Sequence, residues 1–145
     1  MNIEIINKNL SLDIYGFGET SVNKDYAGTA FKLMDRMWQI VKSNNLKNKG
    51  LNIWVYEPGE KLFAGVELDE NQKHDTALEE KIINLTKYAR YKHIGPYNGI
   101  KRAGEHMTNE LKRRGFEIST PYIEIYGHWT NDETKLETEL LMCLK

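Results

Sequence analysis

The stretch Pro121-Tyr122-Ile123-Glu124-Ile125-Tyr126 alternates strictly between two kinds of side chain. A period of two predicts a half-buried strand whose successive side chains point to opposite faces. One face carries two isoleucines, and the other carries a carboxylate between two phenols, Glu124 between Tyr122 and Tyr126. This second face is either a solvated strand surface or the wall of a site for something flat, partly apolar and cationic.

The residues before this stretch begin with a β-α-β-β pattern. Apolar residues alternate from Leu10 to Ile14 and predict a strand that ends near Gly16-Phe17-Gly18. Residues 24–44 have apolar side chains at helical spacing, and we expect two of them, Met34 and Trp38, to belong to the core. Residues 51–56 and 62–68 alternate again on either side of a tight turn.

The same order of elements returns after a polar stretch at about residues 69–80, which predicts a linker. Residues 87–94 predict a strand, residues 98–114 a helix that Gly115 stops, and residues 138–145 a last strand. The expected fold is therefore α+β, a single domain over 1–145 with tandem β-α-β-β repeats at about 1–70 and 80–145. We expect antiparallel sheets and two main helices around a central cleft, related by pseudo-twofold symmetry.

The repeat predicts which side chains meet at that cleft. Laying residues 51–56 on residues 121–126 places Ile53 on Ile123, and Trp54 on Glu124. If the halves pack about a pseudo-twofold axis, the polar and aromatic faces of the two strands come together. The side chains expected there are Trp54, Tyr56, Tyr122, Glu124 and Tyr126.

Composition limits the classes of partner. The chain has 145 residues, 40% of them hydrophobic, and a net charge of -1, which does not favour nucleic acid or an anionic membrane. It has no apolar run near the ~20 residues of a membrane span, and residues 1–8 do not look like a signal peptide. The single cysteine, Cys143, is expected to be a buried hydrophobe, which favours a reducing, cytoplasmic setting.

Several motifs together resemble one known family. They are Tyr91-x-His93-x-Gly95-Pro96-Tyr97, a helix ending in Gly115-Phe116, and Pro121-x-x-Glu124-x-Tyr126. This combination resembles the gyrase-inhibitor-like family, the effector-binding domain of multidrug-sensing transcription activators, which also occurs as stand-alone proteins. The resemblance implies two β-α-β-β repeats around a cleft, with Glu124 as the acidic residue that meets cationic drugs. Tyr97 is a further candidate, while Phe17, Trp54 and Tyr56 follow only from repeat symmetry and topology.

No DNA-binding segment is expected before the first helix, so the chain resembles a stand-alone member. The resemblance then implies three roles: a drug sensor or sequestering protein, a hydrolase of cyclopropane-bearing electrophiles, and a protein-interaction inhibitor. The expected ligand is a small, lipophilic and cationic molecule. A protein partner or a homodimer stays open, and we expect no direct contact with nucleic acid and no membrane.

The chemistry of the proposed cleft suits either of the first two roles. Hydroxyls of Tyr56 or Tyr126 that donate to Glu124 would keep this carboxylate ionised, ready to attract a cation. In a hydrolase, Glu124 would act as general base and Tyr126 as proton donor. No cofactor is expected, and no metal, because His74, His93, His106 and His128 lack metal-ligand spacing. Trp129 either covers the cleft or caps the core.

Overall fold

The computed structural model describes residues 1–72 and 76–145. Lys73, His74 and Asp75, which belong to the predicted linker, lie outside the described residues. The strands are β1 (Glu4–Ile6), β2 (Leu10–Thr20), β3 (Ile53–Glu57), β4 (Lys61–Val66), β5 (Glu79–Leu85), β6 (Tyr88–Ile94), β7 (Ile118–Tyr126) and β8 (Glu137–Leu144). The helices are α1 (Tyr26–Ser43) and α2 (Ile100–Arg113). The α+β prediction is confirmed: each half contributes two strands, a helix and two further strands, which is one strand more than the predicted β-α-β-β order.

Two strands were missing from the prediction, β1 and β5. β1 has three residues, too few for a periodic signal, and β5 begins at Glu79, inside the stretch predicted as linker. β5 therefore overlaps the last two residues of the predicted linker. β5 is an edge strand with one neighbour, β2, so its polar outer residues resemble a loop in composition.

All eight strands form one antiparallel sheet in the order β1-β6-β8-β7-β3-β4-β2-β5. The sheets expected for the two halves are therefore parts of one sheet, joined at its centre by the pairing of β7 with β3. β1 precedes β2 in sequence but pairs with β6, while β5 precedes β6 but pairs with β2. Each half therefore gives its first strand to the edge of the other half, which ties the two repeats together.

The sheet must curl strongly. Only residues 86 and 87 connect β5, at one edge of the sheet, to β6, which lies next to the other edge. The end of β5 and the start of β6 are therefore at most about 11 Å apart. One face of the sheet consequently packs on itself. Its hydrophobic cluster includes Ile14, Val55 and Ile123, all fully buried, and its members come from strands alone.

The two helices cover the other face, and they repeat each other at a constant offset of 70 residues. The buried stripe is Ala30, Leu33, Met37 and Val41 in α1, and Ile100, Ala103, Met107 and Leu111 in α2. A left-handed residue lies two positions beyond the end of each helix, Asn45 (φ 50°) after α1 and Gly115 (φ 85°) after α2. Each helix packs over its own half of the sheet and leaves the central strands between them for a site.

Candidate functional site

The central pair of strands brings the predicted residues together. β3 and β7 are antiparallel neighbours, with Trp54 opposite Glu124 and Tyr56 opposite Tyr122. Ile53 is opposite Ile125, and Val55 is opposite Ile123. The register therefore places the pseudo-twofold axis at the Trp54–Glu124 pair. Because successive side chains of a strand alternate between the two faces, the polar and aromatic residues of both strands lie on the face that the helices cover.

Glu124 is the centre of this face, and its side chain is held by three phenols. Tyr126 donates to Oε1 at 2.6 Å, Tyr56 to the same oxygen at 2.8 Å, and Tyr122 to Oε2 at 2.7 Å. The residue is only 6% exposed. Within the described part of the chain, no basic side chain forms an ion pair with Glu124. A buried carboxylate thus has hydrogen-bond donors but no counter-charge.

The phenols are kept neutral by the same arrangement. Burial raises the pKa of Tyr56, Tyr122 and Tyr126, and the negative charge of Glu124 and the hydrogen bonds to it raise these pKa values further. The three hydroxyls therefore remain donors over the whole physiological pH range. They fix the position of the carboxylate without neutralising its charge.

Aromatic rings surround the carboxylate. Trp54 and Tyr126 have centroids 4.8 Å apart, and those of Tyr56 and Tyr122 are 5.3 Å apart. Phe31 of α1 meets Trp54 edge-on at 5.7 Å, and Tyr97 meets Tyr126 edge-on at 5.7 Å. These separations are typical of stabilising aromatic pairs, so the walls are rigid and present flat apolar surface.

The site opens into a cavity of about 1120 Å³ between α1 and α2. This volume slightly exceeds the roughly 300–1,000 Å³ that small-molecule sites usually span. The first half of the chain contributes Lys24, Asp25, Tyr26, Ala27, Phe31, Met34, Asn52, Trp54 and Tyr56. The second half contributes Tyr97, Ile100, Lys101, Gly104, Glu105, Thr108, Asn109, Ile118, Tyr122, Glu124, Tyr126, Gly127, Trp129 and Met142.

Six of the seven candidate binding residues line this cavity: Trp54, Tyr56, Tyr97, Tyr122, Glu124 and Tyr126. Phe17, the seventh, is not among the residues that line it. β2 is separated from β3 by β4, which puts Phe17 two strands away from the site. Its ring is buried in the core beneath α1, with the Arg36 guanidinium 3.9 Å from the ring centroid.

Sequence reasoning missed several cavity residues on α1. Met34, expected in the core, lines the cavity, and the indole Nε1 of Trp54 lies 3.0 Å from its sulfur. Trp38 is not a cavity residue: it packs half-buried against the core, as expected, and donates to Asn52 at 2.8 Å. The signal for the cavity residues was a second stripe, Ala27, Phe31 and Met34, at helical spacing beside the buried one. Trp129 does not cap the core: it is 73% exposed and lies at the edge of the cavity.

The described residues contain no group of three or more His, Cys, Asp or Glu side chains arranged to hold a metal ion. No described helix is both long and apolar enough to cross a membrane.

Solved structures share the fold over the whole chain. The EcmrR C-terminal domain has a TM-score of 0.76 at 14% identity, covering 100% of this chain and 99% of that one. SAV2435 bound to tetraphenylphosphonium has a TM-score of 0.66 at 22% identity, with 100% and 94% covered. A hydrolase from Listeria innocua has a TM-score of 0.56 at 12% identity, with 99% and 91% covered.

No curated protein sequence matches the chain. The family model of the GyrI-like small molecule binding domain, in contrast, matches residues 20–145 and thus includes the cavity from α1 to β8. The resemblance in the motifs around Gly95-Pro96-Tyr97 and Glu124 is thereby confirmed. The chain belongs to the GyrI-like small molecule binding domain family.

Proposed function

We propose that this protein binds amphipathic, aromatic cations in the cavity between α1 and α2. The observation that carries the proposal is the buried Glu124 carboxylate, which accepts from three phenols and has no basic partner among the described residues. A cationic ligand supplies the missing counter-charge. An anion of the same shape would meet an uncompensated negative charge.

The aromatic walls suit the apolar part of such a ligand. Rings of Trp54 and the tyrosines attract a delocalised positive charge through their faces and bury flat apolar surface. Flat stacking tolerates many shapes, so we expect broad specificity and affinities in the micromolar range. The similarity to the tetraphenylphosphonium-bound SAV2435 fold makes this cation a reasonable first probe.

A hydrolase acting on strained, cyclopropane-bearing electrophiles is the alternative. It would use Glu124 as general base toward water and Tyr126 as proton donor. The contacts favour binding over this chemistry, because Oε1 already accepts two hydroxyls and only Oε2 retains room for a water. A raised pKa also makes Tyr126 a weak acid.

The test uses two ions of nearly the same shape and opposite charge. Tetraphenylphosphonium and tetraphenylborate are titrated into the protein, and binding is followed by tryptophan fluorescence, because Trp54 lies in the cavity wall. We expect the cation to bind at micromolar concentration and the anion at least about a hundredfold more weakly. Equal binding of the two ions would show that Glu124 does not select for charge.

A second arm separates binding from catalysis. The protein is incubated with a spirocyclopropyl dienone, and the small molecule is then analysed by mass spectrometry against a heat-denatured control. Recovery of the compound unchanged supports a binding protein. Protein-dependent gain of one water would favour the hydrolase, with Glu124→Gln as the variant that should abolish it.

A further inference from the structure

α1 and α2 are equivalent helices of the two repeats, but they present different side chains to the cavity. Met34 of α1 and Gly104 of α2 are 70 residues apart and occupy corresponding positions, and both line the cavity. Met34 fills its side, with its sulfur 3.0 Å from the Trp54 indole nitrogen. Gly104 has no side chain, so the cavity is open on the α2 side.

We call the space beside Gly104 the α2 lobe of the cavity. α2 lines the cavity here with Ile100, Lys101, Gly104, Glu105, Thr108 and Asn109, and β7 and β8 contribute Ile118, Tyr122 and Met142. The Thr108 hydroxyl already donates to the Gly104 carbonyl oxygen at 2.9 Å, and the Met142 side chain is buried. Ile100, Ile118 and Met142 therefore offer apolar surface, which suits an uncharged part of a ligand, while the charged Lys101 and Glu105 line the cavity from the same helix.

Nothing in the local packing demands a glycine at this position. A Cβ added to Gly104 would come within 4 Å of one described atom outside its own helix, the Tyr122 hydroxyl oxygen, at an ordinary contact distance of 3.7 Å. Gly104 also lies in the interior of α2, where glycine is less favourable than alanine. Packing around Gly104 gives no reason for a glycine, and the reason that remains is the space that Gly104 leaves in the cavity.

We propose that Gly104 opens the α2 lobe to an uncharged arm of the ligand, and that the preferred ligands are elongated: an aromatic cationic head beside Glu124 and an alkyl or aryl arm under α2. This inference rests on the proposed binding of cations. It assigns Gly104 as the residue that sets the length and bulk of the arm.

The test compares two cations with the same head. Methyltriphenylphosphonium and hexyltriphenylphosphonium differ by five methylenes, and each buried methylene strengthens binding about fourfold. With about three of them buried, hexyltriphenylphosphonium should bind at least roughly tenfold more tightly to the natural protein. Calorimetric titration of both compounds gives the ratio of affinities directly.

Gly104→Leu should close the lobe. We expect the ratio of the two affinities to fall to within about threefold. Gly104→Ala should leave more of the preference and raise the melting temperature by about 2 °C, because alanine favours the helix. His106→Leu adds the same side chain to an exposed face of α2 away from the cavity, and it should leave both affinities unchanged.

The outcomes separate this inference from the function it depends on. If neither phosphonium binds the natural protein, the cationic ligand class is wrong and the inference fails with it. If methyltriphenylphosphonium binds but the hexyl compound binds no more tightly, the arm does not enter the α2 lobe, and the proposed function stands. Equal weakening of both compounds by Gly104→Leu would likewise overturn the role of Gly104.

Discussion

Replacing Glu124 with glutamine removes the charge of the cavity and little else. The two side chains have the same shape, and the glutamine carbonyl can still accept from Tyr56 and Tyr126, which share Oε1 in the natural protein. Tyr122, whose hydroxyl donates to Oε2, can rotate that hydroxyl and accept from the new amide group instead. We therefore expect a folded variant in which the aromatic walls keep their positions.

The cost to ligand binding can be worked out from the geometry. A cation resting on the rings around Glu124 lies roughly 5 Å from the carboxylate, and at an effective dielectric constant of about 20 their attraction is about 3 kcal/mol. Desolvation of the carboxylate and the remaining dipole of the glutamine amide reduce this difference. A loss of about 1–3 kcal/mol remains, which is about ten- to a hundredfold in affinity.

The assay needs a neutral ligand as its control. Tetraphenylphosphonium and the uncharged triphenylphosphine oxide are titrated into both proteins by calorimetry or fluorescence. Glu124→Gln should weaken the cation by the stated factor and change the neutral compound by less than about threefold. If the variant binds the cation as tightly as the natural protein, or loses both compounds equally, Glu124 does not act through its charge and the reasoning is refuted.

Three further predictions test the surroundings of the carboxylate. Tyr126→Phe removes the hydroxyl that donates to Glu124 Oε1 at 2.6 Å, and it should lower the free energy of unfolding, measured in urea, by about 1–2 kcal/mol. The control is Tyr97→Phe at a half-exposed tyrosine, which should change this free energy by less than about 0.5 kcal/mol. Equal effects of the two substitutions would argue against the hydrogen bond. The raised pKa values of Tyr56, Tyr122 and Tyr126 mean that the folded state holds these protons more tightly than the unfolded chain, whose phenols ionise near pH 10. The stabilisation from these three tyrosines is therefore fully present below about pH 10. Above that pH the free energy of unfolding should fall by up to about 1.4 kcal/mol per pH unit for each tyrosine. A free energy of unfolding that stays constant in urea titrations from pH 9 to 11 would contradict the raised pKa values. Phe17→Leu should lower stability by about 1–2 kcal/mol and leave tetraphenylphosphonium affinity unchanged, and a loss of affinity would return Phe17 to the site.

Most of the site followed from local patterns. Strict alternation in residues 121–126 put Tyr122, Glu124 and Tyr126 on one face, since a strand turns successive side chains to opposite sides. The family motifs and the repeat then pointed to the matching strand. Its residues Trp54 and Tyr56 do face Glu124 and Tyr122 across the central pair.

The errors share a cause: each concerned a contact between segments distant in sequence. Phe17 was a candidate only through repeat symmetry and topology, but the strand order puts β4 between its strand, β2, and β3. Met34 would belong to an apolar stripe of α1 whether it faced the core or a cavity. It is a cavity residue because a gap separates α1 from α2. β5 lacked the composition of a strand because it has a single neighbour, β2.

The sequence by itself determined the order of the main elements, the two helical stripes 70 residues apart, and the face on which Glu124 lies between its tyrosines. These depend on periodicity, which is a property of neighbouring residues. Only the tertiary structure decided that the halves exchange their first strands, that Tyr56 reaches Glu124 from another strand, and that Gly104 leaves an open lobe. Strand partners and empty volume depend on how distant segments pack, and no local pattern encodes that packing.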